Sequence, residues 1–98
     1  MLWALGRLDR FRVSGASMEP VLTDGDTVLV DPRGALAVGD VVIARHPSLD
    51  TTVAKRVDHI TDAGAVFLKG DGITSTDSRD YGPLAPDQVL GVVRCTFP

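Results

Sequence analysis

Strand-like segments of three to nine residues recur along this chain, mostly bounded by Gly, Asp and Pro. Runs of that length, rich in Val and Ile and lacking a 3.6-residue period, predict strands rather than helices. The predicted strands are Phe11 to Val13, Thr27 to Val30, Val41 to Arg45, Thr52 to Ile60, Ala65 to Lys69 and Val89 to Phe97. Gly25-Asp26, Gly39-Asp40 and Asp62-Ala63-Gly64 precede apolar stretches and predict tight turns, where Gly supplies positive φ and Asp bonds nearby backbone. GDTVLV and GDVVIA look alike because turn-then-strand chemistry recurs; their flanks do not repeat. The expected fold is all-β, a single small domain over residues 1–98 with a partly closed, barrel-like sheet and little helix.

Between the last two strands, Gly70 to Gly82 reads GDGITSTDSRDYG, which does not alternate and is mostly polar. A loop of this length in a small domain is often functional.

Composition narrows the chemistry. With 44% hydrophobic and 23% charged residues, the chain has the make-up of a folded globular domain. Ten Lys and Arg against thirteen Asp and Glu give a net charge of -3 without a basic block, which disfavours nucleic acid as a partner. Cys95 is the one cysteine, and His46 and His59 stand in unrelated contexts, so no disulfide, metal site or cofactor is implied. No apolar run approaches the ~20 residues of a membrane-spanning helix. Leu2, Trp3, Leu5 and Leu8 form a short apolar N-terminal set suited to a satellite core cluster or to contact with a membrane or partner.

Two residues carry candidate chemistry. Ser17, in SGASMEP (Ser14 to Pro20), follows a Gly-Ala pair and has no bulky residue before it. A nucleophilic serine needs such an approachable turn with backbone N–H groups nearby, although turns commonly contain serine for structural reasons alone. In Thr52 to Asp58, strand alternation puts Val53, Lys55 and Val57 on one side and Ala54, Arg56 and Asp58 on the other. A lysine on the apolar side either extends its nitrogen to water or is buried, and burial makes the amine a usable base by disfavouring the ammonium. A lysine base also needs a polar group to orient it. Ser75 and Ser78 in the polar loop are candidates, and Asp77 with Arg79 can pair and stiffen that loop.

In order along the chain, SMEPVLTDGDTVLV, VGDVVIARHP, VAKRV and GDGITSTDSRDYGPL resemble the type I signal peptidase family over about Val13 to Leu84. The resemblance implies a Ser-Lys endopeptidase with Ser17 as nucleophile, Lys55 as general base and Ser75 as the hydroxyl that orients the lysine. It makes Asp77 and Arg79 a structural ion pair and Ser78 a supporting loop serine, and it makes Met18 and Pro20 shapers of the turn behind the nucleophile. Gly15 falls where some members place a second oxyanion donor, which leaves more of that task to the Ser17 backbone N–H. The chain departs from the pattern at Gly72, where the family usually has Asn, and the spacing from Gly72 to Ser75 is one residue short.

The spanning helix and large inserted domain of familiar signal peptidases have no counterpart here, which points to a soluble substrate. Among relatives, STDSRDYGPL most resembles the nickel-type superoxide dismutase maturation peptidases, which implies a cytoplasmic, bacterial-type protein acting on an extended N-terminal propeptide. Two other readings stay open. One is a signal peptidase that cleaves secretory preproteins at the membrane; the other is a non-catalytic or self-cleaving regulatory module of the repressor type.

Overall fold

The structure is a computed structural model that describes residues 8–13, 18, 21–32, 35–46, 52–70 and 83–98. Its strands are β1 (Asp9–Arg12), β2 (Thr27–Asp31), β3 (Val41–Arg45), β4 (Thr52–Ile60), β5 (Val66–Lys69) and β6 (Val89–Phe97). They form one antiparallel sheet in the order β1-β2-β6-β3-β4-β5, curled into a half-barrel. One 3-10 turn, Pro86–Gln88, leads into β6, and the Gln88 side chain accepts the Ala85 N–H at 2.8 Å.

The two Gly-Asp turns are built alike. Gly25 and Gly39 adopt φ of 91° and 94°, a region costly for other residues. Asp26 accepts the Thr23 N–H at 2.9 Å, and Asp40 accepts the Ala37 N–H at 2.9 Å. Their own N–H groups donate to the Thr23 and Ala37 carbonyls at 3.0 and 3.1 Å. The likeness of GDTVLV and GDVVIA is therefore one turn used twice. Gly64, at φ 90°, serves the β4–β5 turn, where the Thr61 hydroxyl accepts the Ala65 N–H at 3.0 Å.

Strand β3 shows why the sheet curls. Val42 and Ala44 are buried on one side with Val57, Val66, Leu68, Leu84 and Val92. Ile43 is buried on the other side with Val13, Met18, Leu22, Val28 and Val30. A central strand buried on both sides reads as a continuous apolar run, as VVIA does. Strand β6 serves both clusters as well, and its register shifts against β2 and against β3. Bulges of this kind raise local twist and bend the sheet.

A third irregularity falls in β4 between Val57 and His59 and turns Asp58 outward. Its carboxylate bonds His59 Nδ1 at 2.8 Å and lies 3.4 Å from the Lys69 ammonium, while the His59 ring stacks on Phe67 at 4.2 Å. The Asp58 carboxyl is held below the usual range, first by the His59 hydrogen bond and then by Lys69, against an opposing effect of desolvation. A carboxyl depressed in the folded state stabilises above its unfolded pKa, and that stability is lost as pH falls through its folded value. Asp58→Asn is accordingly expected to lower the melting temperature slightly at neutral pH. The difference should vanish in acid, where the carboxyl is protonated in both states; thermal melts of both proteins across pH check this. A difference that persists undiminished in acid would assign the effect to geometry rather than charge.

Candidate active site

Lys55 lies in the middle of β4, directly opposite Val42 of β3. Opposed residues in an antiparallel pair point to the same side of the sheet, so Lys55 shares the side of Val42, Val53 and Val57. Its exposure is 4%, and it stands alone as a buried charged residue among the described residues. Burying an ammonium in a wall of valines is costly unless it is partnered, and Lys55 is not without an interaction partner. Of the two fates open to a lysine on this side of β4, the structure adopts burial.

The strand is held firmly just beyond Lys55. Arg56, on the opposite side, donates from Nη1 to the Gly39 carbonyl at 2.7 Å. The Gly39 N–H donates to the Val57 carbonyl at 2.9 Å, and the Val57 N–H to the Asp40 carbonyl at 2.8 Å. Three bonds thus clamp the Gly39-Asp40 turn onto β4 at the two residues that follow Lys55. Strand parity places Arg56 on the polar side of the strand and says nothing of this clamp. Its basic character beside Lys55 is the one signal in the sequence, but its carbonyl partner lies 17 residues away.

The polar loop begins beside the same lysine. Arg56 pairs with Lys69, so Gly70 follows at the level of Lys55. On its return the chain pairs Leu84 with Val66 through two backbone bonds of 2.8 and 2.9 Å, and Leu84 is buried in the cluster on the Lys55 side. Ser75, Asp77, Ser78 and Arg79 lie outside the described residues, as do Gly15, Ser17 and Pro20.

The residues flanking Ser17 are well anchored. Val13 is buried, donates its N–H to the Asp26 carbonyl at 2.7 Å and accepts the Gly25 N–H at 2.9 Å. Met18 is 1% exposed, packs in the cluster around Ile43, and its carbonyl accepts the Leu22 N–H at 2.9 Å. Met18 thus roots the segment after Ser17 in the second cluster, whereas Lys55 lies on the side of the first. No group of three or more His, Cys, Asp or Glu that could hold a metal occurs among the described residues.

An all-β half-barrel with one buried lysine among the described residues agrees with a family model that matches residues 9–89 and is described as Peptidase S24-like. The chain belongs to the Peptidase S24-like family. This family lies in the LexA- and signal peptidase-like superfamily, which accommodates the motif resemblance at the level of the superfamily. Membership supports a serine peptidase-like or LexA-like function, and the family also includes non-catalytic members. A search of curated proteins finds no match to this S24-like chain.

Proposed function

We propose that the chain is a Ser-Lys endopeptidase in which Ser17 is the nucleophile and Lys55 the general base. The observation that carries this reading is Lys55 itself, 4% exposed on a clamped strand of an S24-like domain. A lysine is rarely buried in an apolar wall unless its amine has a partner or a task there, because its charge costs stability. The same desolvation favours the neutral amine that a base requires.

In the proposed cycle, the neutral Lys55 amine takes the Ser17 hydroxyl proton as Ser17 Oγ bonds to the scissile carbonyl carbon. The tetrahedral oxyanion is met by backbone N–H groups, that of Ser17 among them. Collapse breaks the carbon–nitrogen bond, and the Lys55 ammonium gives its proton to the leaving amine. Lys55 then deprotonates a water that attacks the acyl-enzyme, and the returning proton restores Ser17. Ser75 orients the amine, while Asp77, Ser78 and Arg79 hold the loop around it. The cycle needs no metal or cofactor.

The proposed substrate is an extended N-terminal propeptide, bound beside an exposed strand, of a nickel-type superoxide dismutase precursor in a bacterial cytoplasm. The STDSRDYGPL motif supports that choice. Incubating the protein with the purified precursor and mapping new N-termini by mass spectrometry tests both levels. One new N-terminus is expected with the parent and none with Ser17→Ala. Equal cutting by Ser17→Ala would remove the nucleophile assignment. Cleavage of a membrane-inserted preprotein but not of the precursor would move the substrate to the secretory class.

A further inference from the structure

The sheet ends in a surface that the proposed chemistry does not use. Arg10 stands opposite Leu29 and Arg12 opposite Thr27, while Leu29 and Thr27 in turn stand opposite Cys95 and Phe97. Arg10, Arg12, Thr27, Leu29 and Phe97 therefore share one side of the β1-β2-β6 wing. The other side of that wing sends Phe11, Val28 and Val30 into the core. Two adjoining hollows, of about 480 and 370 Å³, share Arg10 and Thr27; Arg12 borders the first, and Leu29 and Phe97 line the second. Phe97 is 49% exposed, and both arginines are exposed without an ion pair among the described residues.

We propose that this furrow binds an extended segment of a partner protein carrying two carboxylates at alternate positions and an aromatic or aliphatic side chain beside them. The carboxylates face Arg10 and Arg12, and the apolar side chain rests on Leu29 and Phe97. Spacing supports this: residues two apart in a strand are about 7 Å apart, the same interval as alternate side chains of an extended ligand. Charge supports it too, since a guanidinium offers paired donors to a carboxylate. A second copy pairing through the β1 edge is a poorer occupant. In the two antiparallel registers that overlap most of β1 and keep each side of the sheet continuous, Arg10 meets Arg10 or Arg12, and like charges opposed in this way are destabilising. Strand β1 lies four strands from β4, roughly 19 Å at about 4.8 Å per strand, so the arginines work independently of Lys55.

The test is fluorescence anisotropy on the full 98-residue chain with a labelled peptide, Ser-Glu-Phe-Glu-Leu-Ser, and a matched peptide with Lys in place of both Glu. The Glu peptide should saturate the protein and bind more weakly as salt rises. Arg10→Glu with Arg12→Glu should weaken binding by about tenfold or more. Phe97→Ser should weaken it by about threefold. Should the double reversal fail to fold by circular dichroism, Arg10→Gln with Arg12→Gln replaces it, with the same direction expected. The proposal is overturned if the Lys peptide binds as tightly, if the arginine variants bind unchanged, or if no saturation is reached by about 1 mM. Capture by phosphatidylglycerol vesicles without peptide binding would also overturn it and assign the surface to lipid.

Discussion

Gly91→Ala is expected to be the most damaging single-methyl change in the sheet. A Cβ at Gly91 would sit 2.4 Å from Val30 Cγ1, 2.6 Å from the Asp31 carbonyl oxygen and 2.9 Å from the Asp31 carbonyl carbon. Relief of the first contact calls for a side-chain rotation, but Val30 is fully buried and has little room to turn. The other two are with backbone. Relief there requires β2 and β6 to move apart, which disturbs the pairing of Val30 with Val93 and Asp31 with Val92. Overpacking alone costs about 1–3 kcal/mol, and a backbone clash adds to it. For a domain of this size, about 3 kcal/mol corresponds to a melting temperature lower by more than about 10 °C. Calorimetry of Gly91→Ala beside Gly25→Ala separates crowding from backbone strain. Gly25 has φ 91° but nothing within 4 Å of an added methyl, so only strain, about 1 kcal/mol, is expected there. Equal losses at both sites would mean that the close approach of β2 to β6 at Gly91 is not a constraint on the fold.

The close approach at Gly91 is not readable from the sequence, because it depends on the register shifts of β6 against both neighbours. A glycine within a strand-like run signals some irregularity, but not which neighbour it admits. What can be read is whatever local chemistry decides. The Gly-Asp turns follow from positive φ and a short acceptor side chain, and each lies where GD stands in the chain. Strands β3, β4 and β6 have the predicted bounds because Val and Ile runs stop at turn residues. Strand β1 is displaced from its expected place: Asp9 and Arg10 belong to it, while Val13 leaves the strand to bond Asp26. DRFR gives an edge strand little apolar alternation, and its pairing with β2 is made by backbone groups.

The candidate site divides along the same line. Strand parity alone puts Lys55 on the apolar side, and the buried amine follows from that parity and the Val42–Lys55 register. The Arg56–Gly39 bond requires the β3–β4 register, which no local pattern encodes. The assignments of Ser17, Ser75, Asp77, Ser78 and Arg79 rest on motif resemblance, and those residues lie outside the described set. The family match covers the segments that hold them without assigning them roles.

Lys55→Met is expected to separate catalysis from stability. Methionine retains much of the length and all of the apolar character of the lysine stem but has no amine. If Lys55 is the base, cleavage of the precursor should fall by about 10³-fold or more, since members of a catalytic unit fail together when one is removed. Stability should change far less than activity. Losing the amine removes the desolvation cost of burying it, but the group that Lys55 contacts loses its partner, so the two effects oppose each other. Val42, Val53 and Val57 give the methionine an apolar setting to fill. The parent itself should cut faster as pH rises, because a lysine base works only as the neutral amine, and a profile flat from acidic to alkaline pH would count against it. Activity assays and denaturant titrations on the same preparations decide between the readings. Lost cleavage with preserved stability fits a base kept at a structural cost. A variant that unfolds while the parent shows no peptidase activity would instead make Lys55 a structural partner in a non-catalytic S24-like domain.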